Sequence, residues 1–252
     1  MRTIVALIVI SSLCWAASEG WAQSPAAVRC LPSTVRLRPT DTTQGDATAT
    51  ISAAKNETES FQVAVFAEGT VLTNVQVAID PLKNGDYVIP EANVRLFREE
   101  CVPIRRGGYK ATEGPGLVPD PLVPFVNPYT GEALGKPRWN GEEGTLQPGR
   151  FGGNGFDVWQ GRNQVVWVDV TVPKDAPAGA YTSAVRVSGA GIAGVELPVA
   201  LTVWNFALPD GPTHENHFGG VDGVASYLGM DRNSEDFRDI EERCEAMLAE
   251  HR

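Results

Sequence analysis

The sequence predicts a mainly β protein: a two-sheet antiparallel β-sandwich, followed by one strand and one helix belonging to a second unit. Three observations predict it. Apolar residues recur at every second position between Val35 and Phe206, no stretch of helical period interrupts that series, and a single amphipathic helix stands alone after Pro209. Alternation of period two is the mark of a strand with one buried face, and such strands need a partner sheet. The lack of helices between them excludes parallel βαβ units.

The chain opens with Arg2 and an apolar run over residues 4–17, too short to span a bilayer comfortably. Gly20-Trp21-Ala22 before Gln23 places small residues where signal peptidase reads, so residues 1–22 are expected to be a signal peptide cleaved after Ala22. Leu13 stands where a lipidated Cys14 would need a small neighbour. The mature protein is therefore expected to be secreted or periplasmic and, after cleavage, free of the membrane.

The sandwich is expected over residues 23–208. Its clearest strands carry Val195, Leu197, Val199, Leu201 and Val203; Phe61, Val63 and Val65; and Val166, Val168, Val170 and Val172, the last set opposite Trp167, Asp169 and Thr171. Shorter runs at 35–38, 47–54, 74–79, 94–99 and 181–188 complete the series. Asn84-Gly85-Asp86, Pro90, Pro173 to Gly179 and Gly189 to Gly194 supply the turns. Residues 105–163 break the pattern with a long Gly- and Pro-rich loop that contains Trp139 and Trp159. Its aromatics and its Pro119-Asp120-Pro121-Leu122-Val123-Pro124 run predict an ordered excursion on the sandwich edge or a neighbouring domain rather than a low-complexity linker.

After the sandwich, residues 209–252 read as a linker (Pro209 to Pro212), a short strand (214–220) and a helix from Ser234 to His251. Phe237, Ile240, Cys244, Met247 and Leu248 form the helix's apolar stripe; Asn233 or Ser234 caps it, with Glu235 and Asp236 in its first turn. A strand followed by such a helix is half of a βαβ unit, and the stripe is expected to be poorly ordered or packed on the sandwich.

A net charge of −10, with no Lys/Arg cluster, opposes a phosphate backbone, so nucleic acid is excluded as a partner. Three cysteines survive signal cleavage. An oxidising compartment permits a Cys30–Cys101 disulfide if their strands lie side by side, while Cys244 on the helix stripe reads as a small hydrophobe.

An ordered series of motifs carries a resemblance. Asn56-Glu57-Thr58-Glu59-Ser60-Phe61-Gln62, the 119–124 run, Val166-Trp167-Val168-Asp169-Val170, Val172-Pro173-Lys174-Asp175-Ala176-Pro177-Ala178-Gly179-Ala180-Tyr181 and Val203-Trp204-Asn205-Phe206-Ala207-Leu208-Pro209 follow one another. Together they resemble the N-terminal sandwich of glycoside hydrolase family 123 and of proteins grouped as domain of unknown function 4091, over residues 30 to 252. The resemblance implies a sandwich followed by a (β/α)8 barrel, of which 209–252 would be the truncated first βα unit. It also implies hydrolysis of N-acetylgalactosaminides, with an adjacent Asp-Glu pair that orients the substrate's acetamide and protonates the leaving oxygen. This chain has no Asp followed directly by Glu, so no catalytic residue is carried over.

Candidate sites are few. Asn56 reads as an Asx-type turn, although Asn56-Glu57-Thr58 is also a glycosylation sequon, and Pro177 with Gly179 makes a corner that folds Tyr181 over the sheet. His214 and His217 face opposite sides of a strand with no third ligand, so neither metal nor cofactor is expected, while His217 would sit at a barrel rim as a substrate contact. Trp139 and Trp159 are candidates for stacking against a sugar ring. The leading expectation is a non-catalytic portion that buttresses a C-terminal barrel of an exported hydrolase-like protein acting on amino-sugar-containing glycans. The alternative is a free-standing secreted carbohydrate-binding or adhesive sandwich.

Overall fold

The structure is a computed structural model that describes residues 26–42, 45–107, 114–135, 152–211 and 222–250. The expected signal peptide, Trp139 and the expected strand at 214–220 with His217 lie outside the described residues.

Two sheets face each other. One is five-stranded, in the order β1 (Ala26–Pro32), β3 (Thr58–Ala67), β10 (Asn163–Thr171), β7 (Val94–Ile104), β8 (Gly116–Pro124). The other is seven-stranded, with β2 (Ala49–Lys55), β12 (Ile192–Ala207), β11 (Gly179–Ala190), β4 (Leu72–Ile79) and β9 (Phe156–Val158) along its path, and β5 (Lys83–Asn84) and β6 (Tyr87–Val88) as a small hairpin on β11. Val63, Val65, Val166, Val168 and Val170 from the first sheet meet Leu197, Val199, Leu201 and Val203 from the second in one buried cluster. Deleting two methyl groups from any of these valines would cost on the order of 1–3 kcal/mol.

Several features depart from the sequence expectations. The sandwich is not wholly antiparallel, because β2 pairs β12 in parallel, Ile51 beside Leu201. Residues 35–38 are not a strand despite their alternation: they cover the outer face of the first sheet, where Leu37 and Val35 pack on Leu31, Ala64, Phe66 and Val165. The Gln62 amide donates to the carbonyls of Pro32 (3.0 Å) and Val35 (2.7 Å), satisfying groups that a neighbouring strand would otherwise take.

The Gly/Pro-rich interval holds two strands that alternation does not reveal. β8 is the edge of its sheet, the position where Pro119, Pro121 and Pro124 can lack amide donors without breaking a ladder. The chain returns to the opposite sheet through Asn154, whose amide pairs with both main-chain groups of Val77 (2.9 and 3.1 Å), and then enters β9. Gly153 is required there, since a Cβ would fall 2.5 Å from the Cα of Phe125.

The disulfide expectation is corrected. Cys30 and Cys101 are both free, and β3 and β10 stand between their strands. At about 4.8 Å per strand the two are separated by at least about 14 Å, twice what a disulfide can span. Cys30 points into the core and Cys101 sits beyond a bulge in the β7–β8 pairing.

Two motifs lock the end of the sandwich next to the outgoing chain. Tyr181 is fully buried, and its hydroxyl donates to the Pro177 carbonyl at 2.8 Å. Asn56 does not close its own turn. With φ at 62° it turns its side-chain amide to Leu208 O (3.0 Å), Pro209 O (3.4 Å) and Asp210 Oδ1 (3.1 Å), while Lys174 pairs with Asp210 at 2.6 Å. Beyond lie α1 (Asp222–Leu228), which the sequence pattern did not predict, and α2 (Glu235–Glu250). Ser234 caps α2 by accepting the Phe237 N–H at 3.2 Å. Phe237 is buried, Met247 is half exposed, and the Arg243 guanidinium stands 5.3 Å over the Tyr129 ring of the turn after β8. Among the described residues no helix is long and apolar enough to cross a membrane.

Candidate functional site

Among the described residues, an exposed aromatic, buried charge and a concave surface coincide at the end of the first sheet around Trp159. The turn after β9 is closed by the Arg162 N–H donating to Trp159 O (3.0 Å), with Gly161 at φ 72°, the left-handed region that the third residue of such a turn requires. Two further bonds fasten it to the end of β3: Gly161 N–H to Ala67 O (2.7 Å) and Ala67 N–H to Arg162 O (2.9 Å). Next in the chain, Asn163 donates through its main-chain N–H to Pro39 O (2.9 Å) and through its amide to Arg38 O and Asp41 O (both 2.7 Å). The Trp159 turn and the 35–41 segment are thereby held to one another as two walls.

Trp159, on the first of these walls, is 52% exposed. A cleft of about 70 Å³ opens beside it, lined by Leu37, Pro39, Glu99, Cys101, Leu117, Gln164 and their neighbours. Ligand pockets for whole small molecules run from about 300 Å³ upward, so this cleft is on the scale of a substituent rather than of a ring.

The carboxyl of Glu99 is 9% exposed, and burial pushes its pKa from 4.5 up to about 7, with the Arg36 guanidinium pulling in the opposite direction. The Cys101 thiol is pushed up to about 12 by burial, with Glu100 and Glu99 adding to the effect and Arg98 opposing it. A thiol in that state is protonated at neutral pH, which rules it out as a nucleophile. On the other face of β7, Arg98 points into the sandwich level with Val166, 2% exposed, donating to Gly152 O (2.9 Å) and to Glu100 Oε2 (2.8 Å). Among the described residues no group of three or more His, Cys, Asp or Glu side chains could hold a metal ion.

Of the residues singled out from sequence, Trp159 and Cys101 join this cleft; Trp139 and His217 lie outside the described residues, and Cys30 is inside the core. Trp204 is 46% exposed and stacks on Phe206 at 5.7 Å, near the linker and away from the cleft. Sequence reasoning missed Glu99, Asn163 and Gln164. The signal available was Arg98-Glu99-Glu100, three charges in a row inside a strand whose inward positions are otherwise Val94 and Leu96.

A family 123 glycoside hydrolase from Clostridium perfringens, solved to explain glycolipid glycan hydrolysis, aligns with TM-score 0.53 at 11% identity, over 73% of this chain and 28% of its own. The sandwich shares its fold with part of that enzyme. The chain thus spans under a third of the length of that glycoside hydrolase. A sporulation control protein from Bacillus subtilis aligns at TM-score 0.29 and 8% identity, over 74% of this chain and 51% of its own. A PapD-like domain of a human protein aligns at 0.30 and 10%, over 83% and 99%. The sequence matches no protein-family profile and no curated protein.

Proposed function

We propose that residues 23–208 are the non-catalytic β-sandwich portion of an exported glycoside-hydrolase-like protein that acts on amino-sugar-containing glycans, with a catalytic-type barrel following the linker at 209. The observation that carries this reading is the fold shared with a family 123 glycoside hydrolase across 73% of the chain. The five ordered motifs agree with it, and two of them have defined jobs: Asn56 holds the outgoing linker and Tyr181 closes the corner before β11.

The non-catalytic assignment rests on chemistry. Glycoside hydrolysis needs a proton donor and a second group held across a scissile bond. The cleft at Trp159 has a buried carboxyl but a volume too small for a pyranose to lie between two such groups. The test compares the secreted full-length gene product with residues 23–211 on an aryl N-acetylgalactosaminide. Turnover by the full-length product and none by the shorter chain is expected. Turnover by residues 23–211, or by neither protein, overturns the reading.

A further inference from the structure

The Trp159 turn has the construction of a binding platform, and its surroundings define what would lie on it. Single exposed apolar side chains are ordinary and carry no meaning by themselves. Trp159 differs in how it is held: a closed turn with Gly161 in the left-handed region, main-chain bonds to Ala67 on one side, and Asn163 fastening the 35–41 wall on the other. A large flat side chain presented on a backbone that has no freedom left to lose binds at low entropic cost.

We propose that this turn and the cleft beside it form a glycan subsite for a neutral pyranoside, the sugar ring lying on the exposed indole face and one short uncharged exocyclic arm entering the cleft. The ring goes on the indole because a pyranose has an apolar C–H face, and an indole offers an apolar surface with a polar edge. The arm is short because the space is about 70 Å³, enough for a hydroxymethyl or an acetamido group. Its neutrality follows from the lining: Glu100 is paired with Arg98, burial favours the uncharged form of Glu99, and Asp157 and Arg162 contribute one charge of each sign, so the cleft holds no excess of positive charge for a sulfated or carboxylated sugar. The walls suit such an arm, with Leu37, Pro39 and Leu117 for its carbon atoms and the Gln164 and Glu99 side of the cleft for its polar ones.

This subsite goes beyond the hydrolase reading and does not depend on it, since binding requires no barrel and no turnover. The test is saturation-transfer NMR and titration calorimetry on the mature full chain with methyl β-galactoside and methyl N-acetyl-β-galactosaminide. Binding of either glycoside is expected, with transfer to the C–H face of the ring. If only the acetamido sugar binds, the arm is assigned as the acetamido group. Trp159→Ala should weaken binding at least about tenfold while leaving the melting temperature within about 2 °C, because a half-exposed surface side chain contributes little to the core. Trp159→Phe should restore part of the affinity, and Trp204→Ala should change nothing. No transfer from either glycoside at high millimolar concentration, or equal binding by the Trp159→Ala variant, overturns the proposal. Loss of hydrolase activity in the full-length product would not.

Discussion

Replacing Glu99 by glutamine isolates the energetic consequence of a carboxyl placed in the cleft wall. The side chain is 9% exposed and its pKa stands at about 7 against an ordinary 4.5, because burial penalises the anion more than the Arg36 guanidinium rewards it. Below about pH 4.5 the folded and unfolded chains both carry the proton, and the group has no influence on stability. Between about 4.5 and 7 the unfolded chain releases its proton and the folded chain keeps it, so the folded state binds more protons and stability falls as pH rises. Above about 7 both forms are ionised and the loss is complete. At about 1.4 kcal/mol per pH unit the full separation corresponds to about 3 kcal/mol, which partial solvent contact reduces to about 2. Glu99→Gln keeps the shape and abolishes the titration. The variant should match the wild type near pH 4.5 and exceed it by about 2 kcal/mol at pH 8, or about 4–8 °C in melting temperature for a chain of this size. Urea unfolding at pH 4.5, 6, 7 and 8 on both proteins measures the difference directly. Two stability curves that run parallel across that range, or a variant weaker than the wild type at pH 8, would refute the reasoning and show that the attraction of Arg36 dominates.

Three other substitutions probe the contacts that define the sandwich. Tyr181→Phe removes the hydroxyl that bonds Pro177 and should cost about 1 kcal/mol in chemical denaturation, with no change of fold by circular dichroism. Arg98→Met strips the partner from Glu100 and the donor from Gly152, and should destabilise by about 3 kcal/mol; adding Glu100→Leu should recover most of that loss in the same assay. Asn56→Ala forces an alanine into φ 62° and frees the 208–210 segment. It should lower stability by about 1–2 kcal/mol and speed proteolysis between Leu208 and Gly211, read by mass spectrometry of the fragments.

What could be read from sequence followed how differently the two faces of a strand are solvated. The valines of β10 and β12 alternate cleanly because one side of each strand enters the core, and those strands were legible almost to their ends. Residues 35–38 alternate for another reason: Val35 and Leu37 lean on the outside of a sheet, and period two cannot tell a covering segment from a strand. β8 was invisible because its prolines signal a loop, and only its edge position makes them compatible with pairing. β1 was short and lay just after the expected cleavage site. The cleft was the least legible part. Its exposed indole could be named from the loop composition, but the Glu99 wall depends on a strand register and on a covering segment more than fifty residues away in the chain. Asn56 was read as a local turn because its partners, Leu208 to Asp210, are about 150 residues downstream, a distance over which spacing carries no information.

The proline run along β8 also bears on how the protein behaves in a crowd. An open sheet border is an invitation to foreign strands, which add themselves one amide at a time and so build fibrils. With Pro119, Pro121 and Pro124 in nine residues, that border is short of the donors such growth requires. The chain can therefore sit at high local concentration and remain indifferent to its own copies along that side.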